Sequence, residues 1–265
     1  MSTLKISLIQ ANLNWEDKSA NLRAFEQKIN ALKGKTHLVV LPEMFSTGFS
    51  MQPESLAETM DGETVSWMKN LSASNRIIIT GSLIIKEGDN YFNRLIWMLP
   101  TGEYGVYDKR HLFGFAGEDQ YYSFGEKRLI ASVNGWKINL QICYDLRFPV
   151  WARQNPMARR GEEPEYDVLV YVANWPEKRS HAWKTLLQAR AIENQSYIVG
   201  VNRVGVDGNG INHTGDSCVI DPFGESLYCK TIEEDVFTIE LNKETLQSCR
   251  EKLPFLKDAD GFTIL

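Results

Sequence analysis

The stretch Lys137-Ile-Asn-Leu-Gln-Ile-Cys143-Tyr-Asp-Leu-Arg147-Phe-Pro149 passes from a strand pattern to a helix pattern within a few residues. Ile138, Leu140 and Ile142 alternate with polar residues up to Cys143, the period of two of a β-strand. Asp145 is placed to cap a following helix, and Pro149 suits its first turn, where a missing N–H costs nothing. Cys143 is therefore expected on a sharp strand-to-helix turn, its sulfur facing a helix N-terminus whose dipole favours the thiolate. A cysteine taken alone is more often a small buried hydrophobe, and on these residues that alternative stays open.

Working outward, strand and helix patterns alternate. Leu4–Ala11 alternates as a strand. From Lys18 to Lys33, Leu22, Phe25, Ile29 and Leu32 recur at helical spacing, with Gly34 placed to end the helix. His37-Leu-Val-Val-Leu-Pro42 is the continuous apolar run of a parallel strand buried on both faces. Glu43 follows it directly, in the crevice position where open α/β sheets bind ligands. A helix is expected over Glu63–Ser74, then strands over Arg76–Ile85, Tyr91–Leu99 and on toward Tyr107, with hairpin-like connections that make part of the sheet antiparallel. Lys109 ends that run and opens the loop His111-Leu-Phe-Gly-Phe-Ala-Gly-Glu118.

Beyond the elbow, Ala152–Tyr166 reads as a helix end and an exposed connection. Asp167–Asn174 reads as a buried strand closed by Trp175-Pro176, and Ser180 as the cap of a helix to Asn194. Ser196–Val204, Asp216–Ile220 and Val236–Leu241 are the remaining expected strands, with a turn at Asp221–Gly224 and a closing helix over Lys243–Glu251. No repeat or linker interrupts the pattern. One α/β domain over residues 1–265, a mixed sheet system with helices outside, is the expected architecture.

Hydrophobic residues at 43% and charged residues at 24% supply enough apolar material for a large core. A net charge of −5 without a Lys/Arg cluster argues against a nucleic-acid partner. The first residues read as a strand rather than a secretion signal, and no apolar run approaches the length of a membrane span. A soluble, cytoplasmic protein is expected. Cys143, Cys218, Cys229 and Cys249 form no Cys-x-x-Cys pair and no zinc-ligand spacing, so neither a metal site nor a disulfide framework is expected.

Glu43, Lys109 and Cys143 each fall at the carboxyl end of an expected strand. A thiol nucleophile needs a base that later serves as acid, and a carboxylate raised by burial can do both. A fixed lysine and the Tyr144 backbone N–H can meet the oxyanion of a tetrahedral intermediate. The three side chains are a complete set for acyl transfer to a thiol. Each also has a plainer reading: Glu43 as a cap or surface carboxylate, Lys109 as a solvated turn lysine. His111 and His181 are the candidates for a Cys–His pair instead.

Leu41-Pro-Glu43-Met-Phe45, Tyr107-Asp-Lys109-Arg-His-Leu-Phe113 and Gln141-Ile-Cys143-Tyr-Asp-Leu-Arg147-Phe-Pro149 resemble the three signature segments of the nitrilase superfamily of carbon–nitrogen hydrolases. The resemblance runs nearly end to end and takes in Gln188-Ala-Arg190-Ala-Ile-Glu193, Gly215-Asp-Ser217 and Asp221-Pro-Phe-Gly224. It implies a four-layer α-β-β-α sandwich, a Glu-Lys-Cys triad and no metal or organic cofactor. By that carry-over Glu43 is general base and acid, Lys109 stabilises the oxyanion and Cys143 is the nucleophile. Glu118 matches the further active-site carboxylate of many members, and Arg190 and Glu193 belong to buried structural pairing.

The elbow sequence, Val172-Ala-Asn-Trp-Pro176 and the tail Phe255–Phe262 resemble the bacterial ω-amidase branch, which implies hydrolysis of the terminal amide of 2-oxoglutaramate and related 2-oxo acid amides. Arg147, a turn past the nucleophile, has the fork to hold the substrate carboxylate, or else pairs with Asp145 or a neighbouring helix. Phe45, Phe115, Tyr121 and Trp175 are the candidate pocket walls, each equally suited to core packing. Nitrile, simple amide or carbamoyl-amide hydrolysis, or a non-catalytic dimeric interaction role, are the competing functions. A homodimer is implied by the resemblance. The apolar tail residues Leu253, Phe255, Leu256, Phe262, Ile264 and Leu265 agree with it, although packing on the chain's own core is the alternative.

Overall fold

A computed structural model describes residues 3–154 and 164–264 of the chain. The expected connection over Ala152–Tyr166 therefore lies mostly outside the described residues, as does Leu265. In chain order the elements are β1 (Thr3–Gln10), α1 (Lys18–Asn30), β2 (Leu38–Val40), α2 (Pro53–Leu56), α3 (Glu63–Asn75), β3 (Ile78–Glu87), β4 (Asn90–Met98) and β5 (Tyr104–Asp108). There follow α4 (Glu118–Tyr121), β6 (Leu129–Val133), β7 (Trp136–Ile142), α5 (Pro149–Ala152), β8 (Val168–Ala173), α6 (Ser180–Asn194) and β9 (Tyr197–Asn202). The last are β10 (Val204–Val206), β11 (Asn212–Ile220), β12 (Ser226–Thr231), β13 (Asp235–Asn242) and α7 (Lys243–Lys252).

The strands form two mixed sheets. The first runs β13-β1-β2-β3-β4-β5, the second β10-β11-β9-β8-β7-β6 with β12 beside β11. Their centres are parallel: Ile6, Ser7 and Leu8 of β1 pair with Leu38, Val39 and Val40 of β2, and Ile138–Ile142 of β7 run alongside Val168–Val172 of β8. Of the central strands, β2, β8 and β9 are buried on both faces, as their apolar runs require. Leu8, Val40, Leu95 and Tyr107 from the first sheet share one core with Leu140, Ile142, Val170 and Val199 from the second. On the outer side of the first sheet, Leu22, Phe25 and Ile29 of α1 and Val65, Met68 and Leu71 of α3 pack against Val39 and Ile79. On the outer side of the second, α6 packs on β9 and β11 through Trp183, Leu187 and Ala191. The result is the α-β-β-α sandwich.

Several local expectations change. Ser180 does not cap α6; it is the first helical residue, and its hydroxyl donates to Asp216 Oδ2 at 2.7 Å. Residues after Cys143 form a five-residue 3-10 turn, Cys143–Arg147, followed by the separate one-turn helix α5 that begins at Pro149. Asp145 caps nothing downstream. Its carboxylate turns back to accept the Ile142 N–H at 3.0 Å.

Candidate active site

Three strand ends from the two sheets converge. Glu43 follows β2, Lys109 follows β5, and Cys143 follows β7. Both Met44, after the carboxylate, and Cys143 adopt left-handed backbone conformations, φ 43° and 45°. For non-glycine residues each costs on the order of 1–3 kcal/mol, which the packing on either side holds in place. The Lys109 loop is clamped by a close approach: Gly125 N–H donates to the Lys109 carbonyl at 3.0 Å, and a Cβ at Gly125 would lie 2.2 Å from the Asp108 carbonyl oxygen. Only glycine fits there.

Glu43, Lys109 and Glu118 are fully buried and in contact. Lys109 Nζ donates to Glu43 Oε1 at 2.9 Å and to Glu118 Oε1 and Oε2 at 3.0 and 2.9 Å. Asn93 Nδ2 bridges the two carboxylates, 2.8 Å from Glu43 and 3.2 Å from Glu118. The Phe113 N–H donates to Glu118 Oε2 at 2.6 Å. Asn174 crosses from the second sheet: its N–H donates to Glu43 Oε2 at 2.8 Å and its amide to the Glu43 carbonyl at 2.5 Å. Every carboxylate oxygen in this cluster has a donor, as burial demands.

The charges set one another. Burial works to lower the Lys109 pKa, but the adjacent charges of Glu118 and Glu43 outweigh it, and the ammonium is held well above the ordinary lysine range. Burial pushes Glu118 up; Lys109 opposes and Glu43 adds to that rise. Burial likewise pushes the Cys143 thiol well above its usual value, and the charge of the nearby Glu43 carboxylate pushes it further while Lys109 opposes. This corrects the dipole-stabilised thiolate expected from the sequence. A five-residue 3-10 turn has little dipole, and burial with a neighbouring carboxylate outweighs it, so the resting group is a thiol.

Cys143, Lys109 and Asn174 reach the floor of a cleft of about 700 Å³, also lined by Phe49, Phe113, Phe115, Tyr144, Arg147, Trp175 and Arg179. Of the expected pocket walls, Phe115 stands at the rim, 88% exposed, and Trp175 is buried in the wall. Phe45 is not a wall. The turn at Met44 sends it into the outer core, where its ring meets Phe25 at 5.5 Å and Trp67 at 5.9 Å. Tyr121 is not one either: α4 turns Glu118 inward and leaves Tyr121 about half exposed outside the cleft lining.

Arg147 does not pair with Asp145, whose oxygens are taken by the Tyr107 hydroxyl at 2.7 Å, the His111 N–H at 3.0 Å, His111 Nδ1 at 2.8 Å and the Ile142 N–H. Its guanidinium instead lies 5.1 Å over the Trp175 ring. The same Asp145 contact turns His111 away from a Cys–His pair, and its ring stacks on Phe148 at 3.8 Å. His181 is exposed on α6. Arg190 is buried, pairs with Glu193 at 2.7 Å and donates to the Leu146 carbonyl at 2.7 Å, anchoring the elbow to α6. Among the described residues no group of three or more His, Cys, Asp or Glu side chains is arranged to hold a metal ion. Nor is any helix long and apolar enough to cross a membrane.

Sequence reasoning passed over Asn93, Asn174, Phe49, the Phe113 N–H and Arg179. Asn174 follows a buried strand and carries the signal that marked Glu43. Asn93 lies inside a strand whose pattern gives no hint that this position faces two carboxylates.

Residues 5–251 match the family model described as carbon–nitrogen hydrolase. The chain belongs to the carbon–nitrogen hydrolases. This hydrolase is 42% identical to the omega-amidase YafV of Yersinia enterocolitica, with 100% of both chains covered. It is 30% identical to the 2-oxoglutaramate amidase of Bacillus subtilis strain 168, over 96% of each. Among solved structures it is similar to XC1258 from Xanthomonas campestris, a CN-hydrolase superfamily protein with an arsenic adduct in the active site. There the TM-score is 0.97 and the identity 42%, with 100% of both chains covered.

Proposed function

We propose that this hydrolase cleaves the terminal amide of a 2-oxo dicarboxylic acid monoamide of the 2-oxoglutaramate type, releasing ammonia and the 2-oxo acid through a thioester on Cys143. The observation that carries the reaction class is a buried thiol at the same cleft as a buried ammonium that Glu43 and Glu118 share. The omega-amidase and 2-oxoglutaramate amidase relatives support the substrate class.

Glu43 accepts the thiol proton as Sγ bonds to the amide carbon. Charge developing on the carbonyl oxygen is met by the Lys109 ammonium and the Tyr144 N–H. Collapse breaks the C–N bond, Glu43 returns the proton to the departing nitrogen, and the acyl group stays on sulfur. Water then adds to the thioester with Glu43 taking its proton, the carboxylic acid leaves, and that proton restores the thiol. Glu118 holds the ammonium in place throughout. Arg147, seated on Trp175, takes the substrate carboxylate. These steps use no metal or organic cofactor. The chain acts as one catalytic domain, in the cytoplasm, as a homodimer.

Ammonia release is to be compared for 2-oxoglutaramate, a short neutral amide, a carbamoyl amino acid and a nitrile, alongside intact-protein mass spectrometry during turnover. The expected result is preference for 2-oxoglutaramate and an acyl adduct mapping to Cys143. A preference for the neutral amide or the nitrile sinks the substrate, and wild-type turnover by Cys143→Ala sinks the mechanism.

A further inference from the structure

Among the described residues two guanidiniums line the cleft beside Cys143, those of Arg147 and Arg179. Arg179 closes the 3-10 turn Glu177–Arg179, directly after Trp175-Pro176. Its guanidinium carbon lies 5.0 Å over the ring of Phe113, much as Arg147 lies over Trp175. The two seats are tied together, because the Trp175 indole N–H donates to the Arg179 carbonyl at 2.8 Å. An arginine resting on an aromatic face keeps its in-plane N–H edge for a carboxylate.

Among the described residues neither guanidinium forms an ion pair. The cleft's own acids are engaged elsewhere. Asp207 Oδ1 accepts the N–H groups of Asn209 and Ile211, and Glu177 accepts from the Asn212 amide at 2.8 Å. Burial lowers the Arg179 pKa, Cys143 works the other way, and the charge of Arg147 lowers it again. Arg179 is half-buried and Arg147 exposed, and two like charges beside one cleft, without a paired carboxylate among the described residues, favour an anionic ligand between them.

We propose that Arg179 is a specificity residue, forming with Arg147 a two-guanidinium clamp for the carboxylate and the adjacent 2-oxo oxygen of the substrate. The clamp rests on the function proposed above and names the part of the cleft that reads the far end of the substrate. It accepts an anionic terminus with an uncharged neighbour. It turns away 2-amino acid amides such as glutamine, whose ammonium group would face both guanidiniums.

The test measures kcat/KM for 2-oxoglutaramate, glutamine and pentanamide on wild type, Arg179→Gln and Arg179→Lys. Arg179→Gln should lower the value for 2-oxoglutaramate on the order of 10-fold, since Arg179 is half-buried and Arg147 exposed and the contact stays below the loss of a fully buried pair. Most of the loss should appear in KM, because the carboxylate is held alike in ground and transition states. Pentanamide, which lacks the carboxylate, should change by less than about threefold, and the margin against glutamine should narrow. Arg179→Lys should recover part.

A second readout does not depend on turnover: 2-oxoglutarate should protect Cys143 from alkylation by neutral iodoacetamide, and the half-protecting concentration should rise in Arg179→Gln. A wild type that prefers pentanamide to 2-oxoglutaramate overturns both the clamp and the proposed substrate. A wild type that prefers 2-oxoglutaramate, with Arg179→Gln losing equally on both amides or on neither, leaves the substrate standing and overturns the clamp alone.

Discussion

Lys109 supplies the positive charge between two fully buried carboxylates, so its loss reaches beyond catalysis. Lys109→Met is expected to cut kcat by about 100- to 1,000-fold, the usual cost of an oxyanion donor. It should also destabilise the fold by about 3–5 kcal/mol at neutral pH, because a buried charge loses its partner. The pH dependence has a definite sign. Glu118, already raised by burial, rises further without the ammonium. A carboxyl group raised in the folded state costs nothing below its unfolded value and progressively more as pH climbs above it. Urea unfolding should therefore show the variant's deficit shrinking as pH is lowered from neutral toward the carboxylate range; a deficit independent of pH would count against the shared-ammonium picture. Cys143 gives a second handle. Glu43→Gln removes a negative neighbour, so thiolate ultraviolet absorbance should titrate at lower pH while ammonia release falls. A more ionised nucleophile in a slower enzyme is the signature of Glu43 as base; unchanged titration would remove Glu43 from contact with the thiol. At this scale Glu43, Lys109 and Cys143 were legible because strand ends and signature segments mark them, whereas Glu118 was reached only through the family resemblance. The asparagines were not, since a hydrogen-bonding side chain leaves no pattern in its neighbours.

Among the elements, the elbow depends on Asp145, which joins the end of β7 to the lysine loop through Tyr107 and His111. Asp145→Ala strands several buried donors at once and is expected to cost about 2–4 kcal/mol, read as a drop in thermal midpoint, with kcat falling alongside. If the variant kept wild-type stability and rate, the elbow would be held by Arg190 and packing alone. The sequence pointed to a helix capped by Asp145 because Asp followed by Pro four residues later is a helix-start pattern. The long-range pull of His111 and Tyr107 on the carboxylate is invisible at that range. The strands β6 and β12 were also missed. β12 is partly exposed along its length, so Leu227, Tyr228 and Cys229 show no buried face to read. The central strands β2, β8 and β9 were legible for the opposite reason, being apolar throughout.

For the whole molecule, the layer order followed from the alternation of buried strands with amphipathic helices. The tail is less settled by the chain's own core than its composition suggested. Leu256 is buried, but Phe255 is 60% exposed and Leu253, Phe262 and Ile264 are also exposed. Light scattering at micromolar concentration is expected to give twice the chain mass, and Phe255→Asp with Phe262→Asp to shift it toward the monomer. A wild-type monomer would remove the homodimer.

Glu43 and Lys109 ride on one sheet and Cys143 on the other, with Asn174 as the crosspiece. The proposed machinery is thus split along the seam of the sandwich, like the jaws of a caliper whose opening is set by the thickness of the filling. Substitutions in that filling, at Leu140 or Leu95 outside the cleft lining, are expected to act as throttle settings for the rate. Moderate hydrostatic pressure, squeezing the same layer, should change turnover well before it unfolds the chain.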